Sequence, residues 1–245
     1  MGRSFISSLI IGLALIITAS ILAATYRHTH IYNETISVTG LSQKNFSADL
    51  IVWNGNFSRK SDKLQDAYSS LRGDEQLIQK YLKDKGVKDG EMIFSSVSIT
   101  KDYKTIRTGT DNSVEQQIFD GYTLTQNVHI ESSDVNKIEG VSREITELID
   151  ENVEFSSESP QYFYTKLSEL KLDLLADAAK DGRIRAQKIA DNAGNSLGDL
   201  KRADMGVFQI TAQNSSEDYS SGGELNTSSR NKTASITVHM DFSIK

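Results

Sequence analysis

The side chains best suited to acid–base or metal chemistry are four histidines, and they are thinly spread. His28 and His30 form an H-x-H pair in "RHTH". On an extended segment both imidazoles point the same way, as metal ligands do, but zinc takes three or four ligands and no third donor stands close by in sequence. The plainer reading is a polar juxtamembrane stretch. His129 and His239 each fall on the polar phase of an alternating stretch, which makes each a surface residue of a strand; they meet only if those strands are neighbours. Carboxylates abound in "DKLQD", "DVNKIE", "ELIDENVE" and "LDLLAD", at spacings that fit helix surfaces and caps. No G-x-S-x-G, P-loop, H-E-x-x-H or G-x-G-x-x-G motif occurs. The chain has no cysteine, so thiol nucleophiles, disulfides and thiolate metal sites are excluded. The expectation is a protein with no catalytic residues, no cofactor and no metal: not an enzyme. A hydrolase built on carboxylates distant in sequence stands as a second alternative.

The elements that would carry such groups are bounded by composition. At 245 residues there is room for one large or two small domains. A formal net charge of −6 lacks the basic excess of a nucleic-acid binder. One proline, Pro160, and 16 glycines set the chain apart from Pro/Gly-rich disordered sequences. Six N-x-S/T sequons, at Asn33, Asn45, Asn56, Asn214, Asn226 and Asn231, are what a chain rich in Asn, Ser and Thr produces by chance.

The N-terminus, "MGRSFISSLIIGLALIITASILAATYRHTH", is uncharged from Ser4 to Thr25, between Arg3 and Arg27. Roughly 20 apolar residues span a bilayer. The run is longer than a signal-peptide core, and "ILAAT" matches a cleavage site poorly. Residues 1–30 are therefore read as a retained anchor and juxtamembrane segment, inserted through residues 4–25 as a single transmembrane helix. Residues 31–245 are read as an extracytoplasmic domain, with the bulk of the chain exported.

Beyond the anchor, hydrophobic periodicity alternates between two and 3.6. Strands are expected at "ETISVTG", ending in a turn at Gly40, and at "FSADLIVWNGNFS", apolar on both faces and hence central. A helix follows, capped by Ser61 or Asp62, with Leu64, Ala67, Tyr68, Leu71, Leu77, Ile78, Tyr81 and Leu82 at helical spacing and Gly86 at its end. "EMIFSSVSITKDY" is one strand, "KTIRTGTDNSVEQQ" a loop or hairpin tip. "IFDGYTLTQNVHIES" is a strand with Ile118, Tyr122, Leu124, Val128 and Ile130 on its apolar face. A helix capped by Ser133 or Asp134, a short strand in "ENVEFSSES", a long helix over residues 165–193, a strand "LKRADMGVFQITAQ", a polar loop and a final strand "KTASITVHMDFSIK" complete the order ββαββαβαββ. This is an α+β fold, mostly antiparallel sheet with helices packed on it.

The long helix carries small residues where a core helix usually carries leucine. Leu172, Leu175, Ala179, Gly182, Ala186, Ile189 and Ala193 recur at steps of three and four, a candidate stripe for close packing or assembly. Small side chains let another backbone approach. A sheet within the same chain is the plainer partner; a second copy of the helix is the sharper one.

Three ordered stretches carry a family resemblance. "ISVTGLSQKNFSADLIVW", with Ala48 and Asp49, is similar to the start of the SIMPL domain, the DUF541 family of exported bacterial proteins. "FDGYTLTQNVHIESSDVNKI", with Gly121, Tyr122 and Asp134, resembles its Gly-Tyr strand leading into an acidic-capped helix. "AAKDGRIRAQKIADNAGNSLGDL" resembles its signature helix, through Ala178, Ala179, Arg183, Ala186, Ala190, Gly194, Leu197 and Gly198. Ser42 departs from the pattern where many members carry a second glycine. The resemblance covers Thr35 to Lys245, and Trp53, "YFYTKL" and "MGVFQI" resemble a membrane-anchored subgroup. It implies an exported, frequently oligomeric α+β domain, with ring-like assemblies and links to envelope or oxidative stress tolerance in some members, and no catalytic residue set. The role the resemblance implies is a non-catalytic, membrane-anchored homo-oligomer, single-pass in the cell inner membrane with its C-terminal domain in the periplasm or outside the cell. The first alternative is a peptide- or small-ligand-binding module, with the aromatic "YFYT" as part of the site.

Overall fold

The structure, a computed structural model, describes residues 12–23, 25, 35–108, 114–216 and 220–245. Residues 12–23 form helix α1, and Leu13, Leu15, Ile16, Ile17, Ile21 and Leu22 are exposed on it. No helix among the described residues is long and apolar enough to cross a membrane. The rest of the segment read as a membrane span over residues 4–25, and His28 and His30, lie outside the described residues except for residue 25.

The chain divides into two compact units. The larger comprises residues 43–174 and 207–235; the smaller comprises residues 1–42, 175–206 and 236–245. Three elements run from one into the other: β1 (Thr35–Ser47), α4 (Leu167–Asn192) and β11 (Asn231–Ile244).

In the larger unit a six-stranded antiparallel sheet has β2 (Leu50–Ser61) and β5 (Val114–Ser132) at its centre. β3 (Met92–Phe94) and β4 (Ser98–Thr108) pair with β5, while β6 (Phe155–Ser157) and β7 (Gln161–Phe163) pair with β2. Ile51, Trp53 and Phe57 from β2 and Leu124, Val128 and Ile130 from β5 point to one face and are buried. Helix α2 (Leu64–Asp84) lays Ala67, Leu71, Ile78 and Leu82 there, and α3 (Val135–Glu144) adds Ile138 and Val141. Each buried large aliphatic or aromatic side chain stabilises this core by about 1.5–3 kcal/mol relative to its exposed state. A charged group lies within the packing: Asp74 on α2 is buried and takes a two-pronged bond from Arg59 (Nε–Oδ2 2.5 Å, Nη2–Oδ1 2.7 Å), whose Nη2 also donates to the Asn152 carbonyl at 2.6 Å. Also in this unit β9 (Gln209–Ala212) pairs antiparallel with the start of β11 and parallel with β10 (Glu224–Leu225).

In the smaller unit β11 lies between β1 and β8 (Leu197–Met205). Its alternating Ile236, Val238, Met240 and Phe242 are buried. Here helix and strand meet backbone to backbone. A Cβ on Gly40 would sit 2.0 Å from the Ala178 carbonyl oxygen and 2.6 Å from the Gly182 nitrogen, so only glycine fits. Gly182 in turn lies against Met240, whose Cε a Cβ would meet at 2.1 Å. Asp181 accepts a hydrogen bond from the Leu41 amide at 2.9 Å and pairs with Arg185 at 2.8 Å, which pins β1 to the helix.

The α+β class, the mostly antiparallel pairing, Gly86 at the end of α2 (φ +86°), and Asp134 capping α3 through the Lys137 amide all match the reading from sequence. Several boundaries do not. The strand order is ββαβββαββαββββ, because two stretches read as single strands are each two, β3 with β4 and β8 with β9, and because β7 and β10 lie where the sequence pattern indicates no strand. Gly40 is no turn; β1 runs through it to Ser47, and the glycine answers to the helix backbone above it. Neither Ser61 nor Asp62 caps α2, whose first-turn boundary residue is Lys63, with no side-chain cap bond. Helix α4 begins at Leu167, after the separate strand β7.

Candidate functional site

The small-residue stripe is real but shifted in phase. The buried line on α4 is Leu170, Leu174, Ala178, Gly182, Ala186 and Ala190. Of the residues read from sequence, Gly182 and Ala186 are buried and Leu175 and Ala179 are half-buried, while Leu172, Ile189 and Ala193 are exposed. The error has a geometric cause. Steps of four on a helix of 3.6 residues per turn rotate the line by about 40° each, so the buried line winds around the axis, as contact with a twisted sheet requires. A straight 3.6-period stripe departs from it at both ends.

His129 lies in the larger unit and His239 in the smaller. His129 Nδ1 is 2.8 Å from Asn54 Oδ1 across the β2–β5 pair. His239 sits on the exposed face of β11, with Nδ1 3.3 Å from Thr39 Oγ1 and Nε2 3.7 Å from Asp241, which accepts a bond from Ser37 Oγ at 2.6 Å. The hydroxyl–imidazole–carboxylate order resembles an acyl-transfer triad, but the imidazole is half in solvent on an open sheet face, without the enclosed, pre-aimed donors that such chemistry uses. Among the described residues no group of His, Cys, Asp and Glu has metal-site geometry.

The aromatic "YFYT" stretch has a more definite place. Tyr162 is buried on β7, and its amide donates to the Thr227 carbonyl at 2.7 Å. Tyr164 stacks tilted on Phe46, centroids 4.9 Å apart. Thr165 donates from its amide and its hydroxyl to both oxygens of Asp49, at 2.7 and 2.8 Å, which locks the segment to the start of β2. Beside these rings is a small cavity of about 50 Å³, lined also by Leu167, Ile210 and Lys232. Burial pushes the Tyr162 hydroxyl up from its ordinary value, and the neighbouring Glu139 carboxylate adds to that.

Lys232 was not singled out from sequence. Only 2 % of it is exposed, and its ammonium donates to the Asn226 carbonyl and, at 3.3 Å, to Asn226 Oδ1. The signal was present: position 232 shares the phase of Ala234, Ile236 and Val238, so the apolar face of the last strand opens on a lysine. Asn226 is committed to that ammonium and to the Ser229 amide, which makes this sequon a structural asparagine. Asn45 and Asn231 likewise accept bonds from Thr233 and Ser47, Asn56 is half-buried, and Asn214 takes a left-handed turn conformation. Asn33 lies outside the described residues.

A wider polar cleft of about 450 Å³ lies by the start of α3, between Asp49, Lys88, Asp134 and Arg230. Its charges are largely engaged within the chain: Arg230 holds Asn136 at 2.6 Å and Glu139 at 3.3 Å, and Asp134 caps α3 while pairing with Lys137. Chemically, then, the aromatic cavity suits a short apolar group, and its volume is far below the roughly 300–1,000 Å³ of ordinary small-molecule sites. No curated protein matches the chain. A family model described as SIMPL, protein of unknown function (DUF541), matches residues 36–242, from the first buried residue of β1 to near the end of β11. The motif stretches of β1–β2, β5–α3 and α4–β8 all fall inside that match, and the chain belongs to the SIMPL (DUF541) family.

Proposed function

We propose that the protein is a non-catalytic, membrane-anchored extracytoplasmic member of its family that assembles into homo-oligomers. Supporting the anchor are the uncharged run from Ser4 to Thr25 and the exposed aliphatic side chains of α1. The observation that carries the assembly reading is the amount of apolar side chain left uncovered on one face of one hairpin: Ile99 and Tyr103 on β4 and Phe119 on β5 are all exposed. Patches of this kind mark interaction surfaces. Sedimentation velocity on the full chain in mild detergent tests it. Oligomers are expected; a strictly monomeric species at high micromolar concentration would sink the reading. Membrane fractionation and protease accessibility test the anchor and the periplasmic or extracellular placement, and loss of envelope or oxidative stress tolerance on deletion tests the role that the family resemblance implies.

The cavity beside Tyr162 and Tyr164 favours a second reading, a module that captures a short apolar side chain of a peptide or a small ligand. A thermal-shift screen of short hydrophobic peptides separates the two. Stabilisation that Tyr164→Ala abolishes supports it; no stabilising compound class counts against it.

A further inference from the structure

We propose that β4 is the edge through which two copies of this chain join, pairing antiparallel about Tyr103; the inference rests on the assembly reading above and names its surface. β4 pairs with β5 along one side only, and among the described residues no strand lies on its other side. An edge of this kind offers a row of unpaired amides and carbonyls to another strand unless something blocks it. One edge strand of the smaller unit, β8, is blocked. Its pairing with β11 shifts register twice, each time with an extra residue on β8, and bulges of this kind bend an edge away from further pairing. β4 has no such defence. Its single register shift places two β4 residues, Lys101 and Tyr103, against Tyr122 and Phe119, so the extra residue sits on β5 and β4 stays regular. It has no proline over eleven residues.

β4 does carry charge, at Lys101, Asp102, Lys104 and Arg107. Directly opposed residues of an antiparallel pair share a face, so the two-fold axis of a self-pair must pass through one residue position. Centred on Lys101, Asp102 or Lys104, the charge meets its own copy; the last also sets Lys101 against Arg107. Centred on Thr105, no opposite charges meet. Centred on Tyr103, Asp102 of each copy faces Lys104 of the other and no like charges are opposed. The charges thus select a register. Both groups already belong to an alternating network: Lys60 lies 2.6 Å from Asp120 and 3.4 Å from Asp102, and Lys104 lies 3.2 Å from Asp120. Self-pairing would join two such networks on one face. On the other face Tyr103 packs edge-on to Phe119, which packs edge-on to Tyr122, with centroids 6.0 and 5.0 Å apart, and the Tyr103 rings of the two copies would close these into one aromatic row.

The absence of native cysteine supplies the test. Opposed Cα atoms in an antiparallel pair are about 4.5–5.5 Å apart, within disulfide reach. In the full chain in mild detergent, Tyr103→Cys is expected to form a covalent dimer under oxidation far faster than Ile149→Cys, an equally exposed position away from β4. Asp102→Lys and Lys104→Asp should each weaken the dimer by at least about tenfold through like-charge opposition, and the double reversal should restore it. A chain that oligomerises while Tyr103→Cys cross-links no faster than Ile149→Cys overturns the β4 assignment and leaves assembly standing on another surface. A double reversal no better than either single overturns the register. A chain monomeric throughout overturns both proposals.

Discussion

Two helix–sheet contacts in this molecule solve the same problem in opposite ways. In the larger unit α2 and α3 cover their sheet with Leu71, Ile78, Leu82, Ile138 and Val141 against Trp53, Phe57 and Leu124, so large side chains fill the space between the backbones. In the smaller unit α4 meets β1 and β11 through Ala178, Gly182 and Gly40, and the backbones themselves are in contact. The two contacts are therefore vulnerable to opposite changes. The first loses stability when volume is removed; the second loses it when volume is added.

The largest effect is expected from emptying the first contact. Trp53→Ala removes a fully buried ring that packs on Phe155 and whose Nε1 donates to Ser157 Oγ at 3.1 Å. A loss of about 3–5 kcal/mol is expected in chemical denaturation; a loss below the scale of a surface change would mean the larger unit is not organised around this residue.

Overfilling the second contact comes next. Gly40→Val and Ala186→Leu are each expected to cost about 1–3 kcal/mol, with Gly40→Val the larger because the atoms it meets are backbone and cannot step aside. Ala186→Gly, which only removes volume, should cost about 1 kcal/mol, mostly helix propensity. If truncation at position 186 proved worse than enlargement, the contrast between the two contacts would fail.

A smaller effect separates by pH. Burial pushes the Glu91 carboxyl up, but bonds from the Lys88 amide at 2.9 Å and the Ser132 hydroxyl at 2.7 Å outweigh it and hold the carboxyl below its ordinary value of 4.5. The folded carboxyl binds its proton less readily than the unfolded one. Its stabilisation is therefore complete above the ordinary carboxyl range and lost as pH falls through the lower folded value. Glu91→Gln should flatten the acid limb of the melting temperature against pH, measured by circular dichroism; an unchanged acid limb would remove Glu91 as a contributor. The smallest effect belongs to Ile189→Ser, half exposed on the outer side of α4, within about 0.5 kcal/mol of the parent protein. A loss on the scale of Ala186→Leu would restore the straight stripe.

How far the sequence alone could be read follows the same division. The contact made of large side chains is written in ordinary periodicity, so α2, α3, β2 and the alternating faces of β11 and of β5 from Tyr122 onward were legible, with Gly86 and Asp134 marking ends, whereas Ile118 is exposed because the register shift between Tyr122 and Phe119 turns it to the other face. The backbone contact is written in residues that also signal turns and loops: Gly40 read as a turn because nothing local shows that a helix 140 residues on requires it. The split of β8 from β9, and β10 after them, depend on partners distant in sequence, which local alternation does not reveal. Ile189 misled because its bulk suggested burial, whereas the winding of the buried line turns it outward. Of the candidate site, the aromatic segment was visible as a cluster and its Asp49–Thr165 clamp was not, since the two residues lie 116 positions apart.

The claim on which the rest depends is that the alanine stripe of α4 is occupied within the chain, which leaves assembly to other surfaces. The direct measurement is the melting temperature and the sedimentation mass of Ala186→Leu beside the parent chain, full length and in the same detergent. A clearly lower melting temperature is expected, with an oligomer of the same size wherever the protein remains folded. An unchanged melting temperature with the oligomer lost would place the stripe at a subunit contact and contradict that claim.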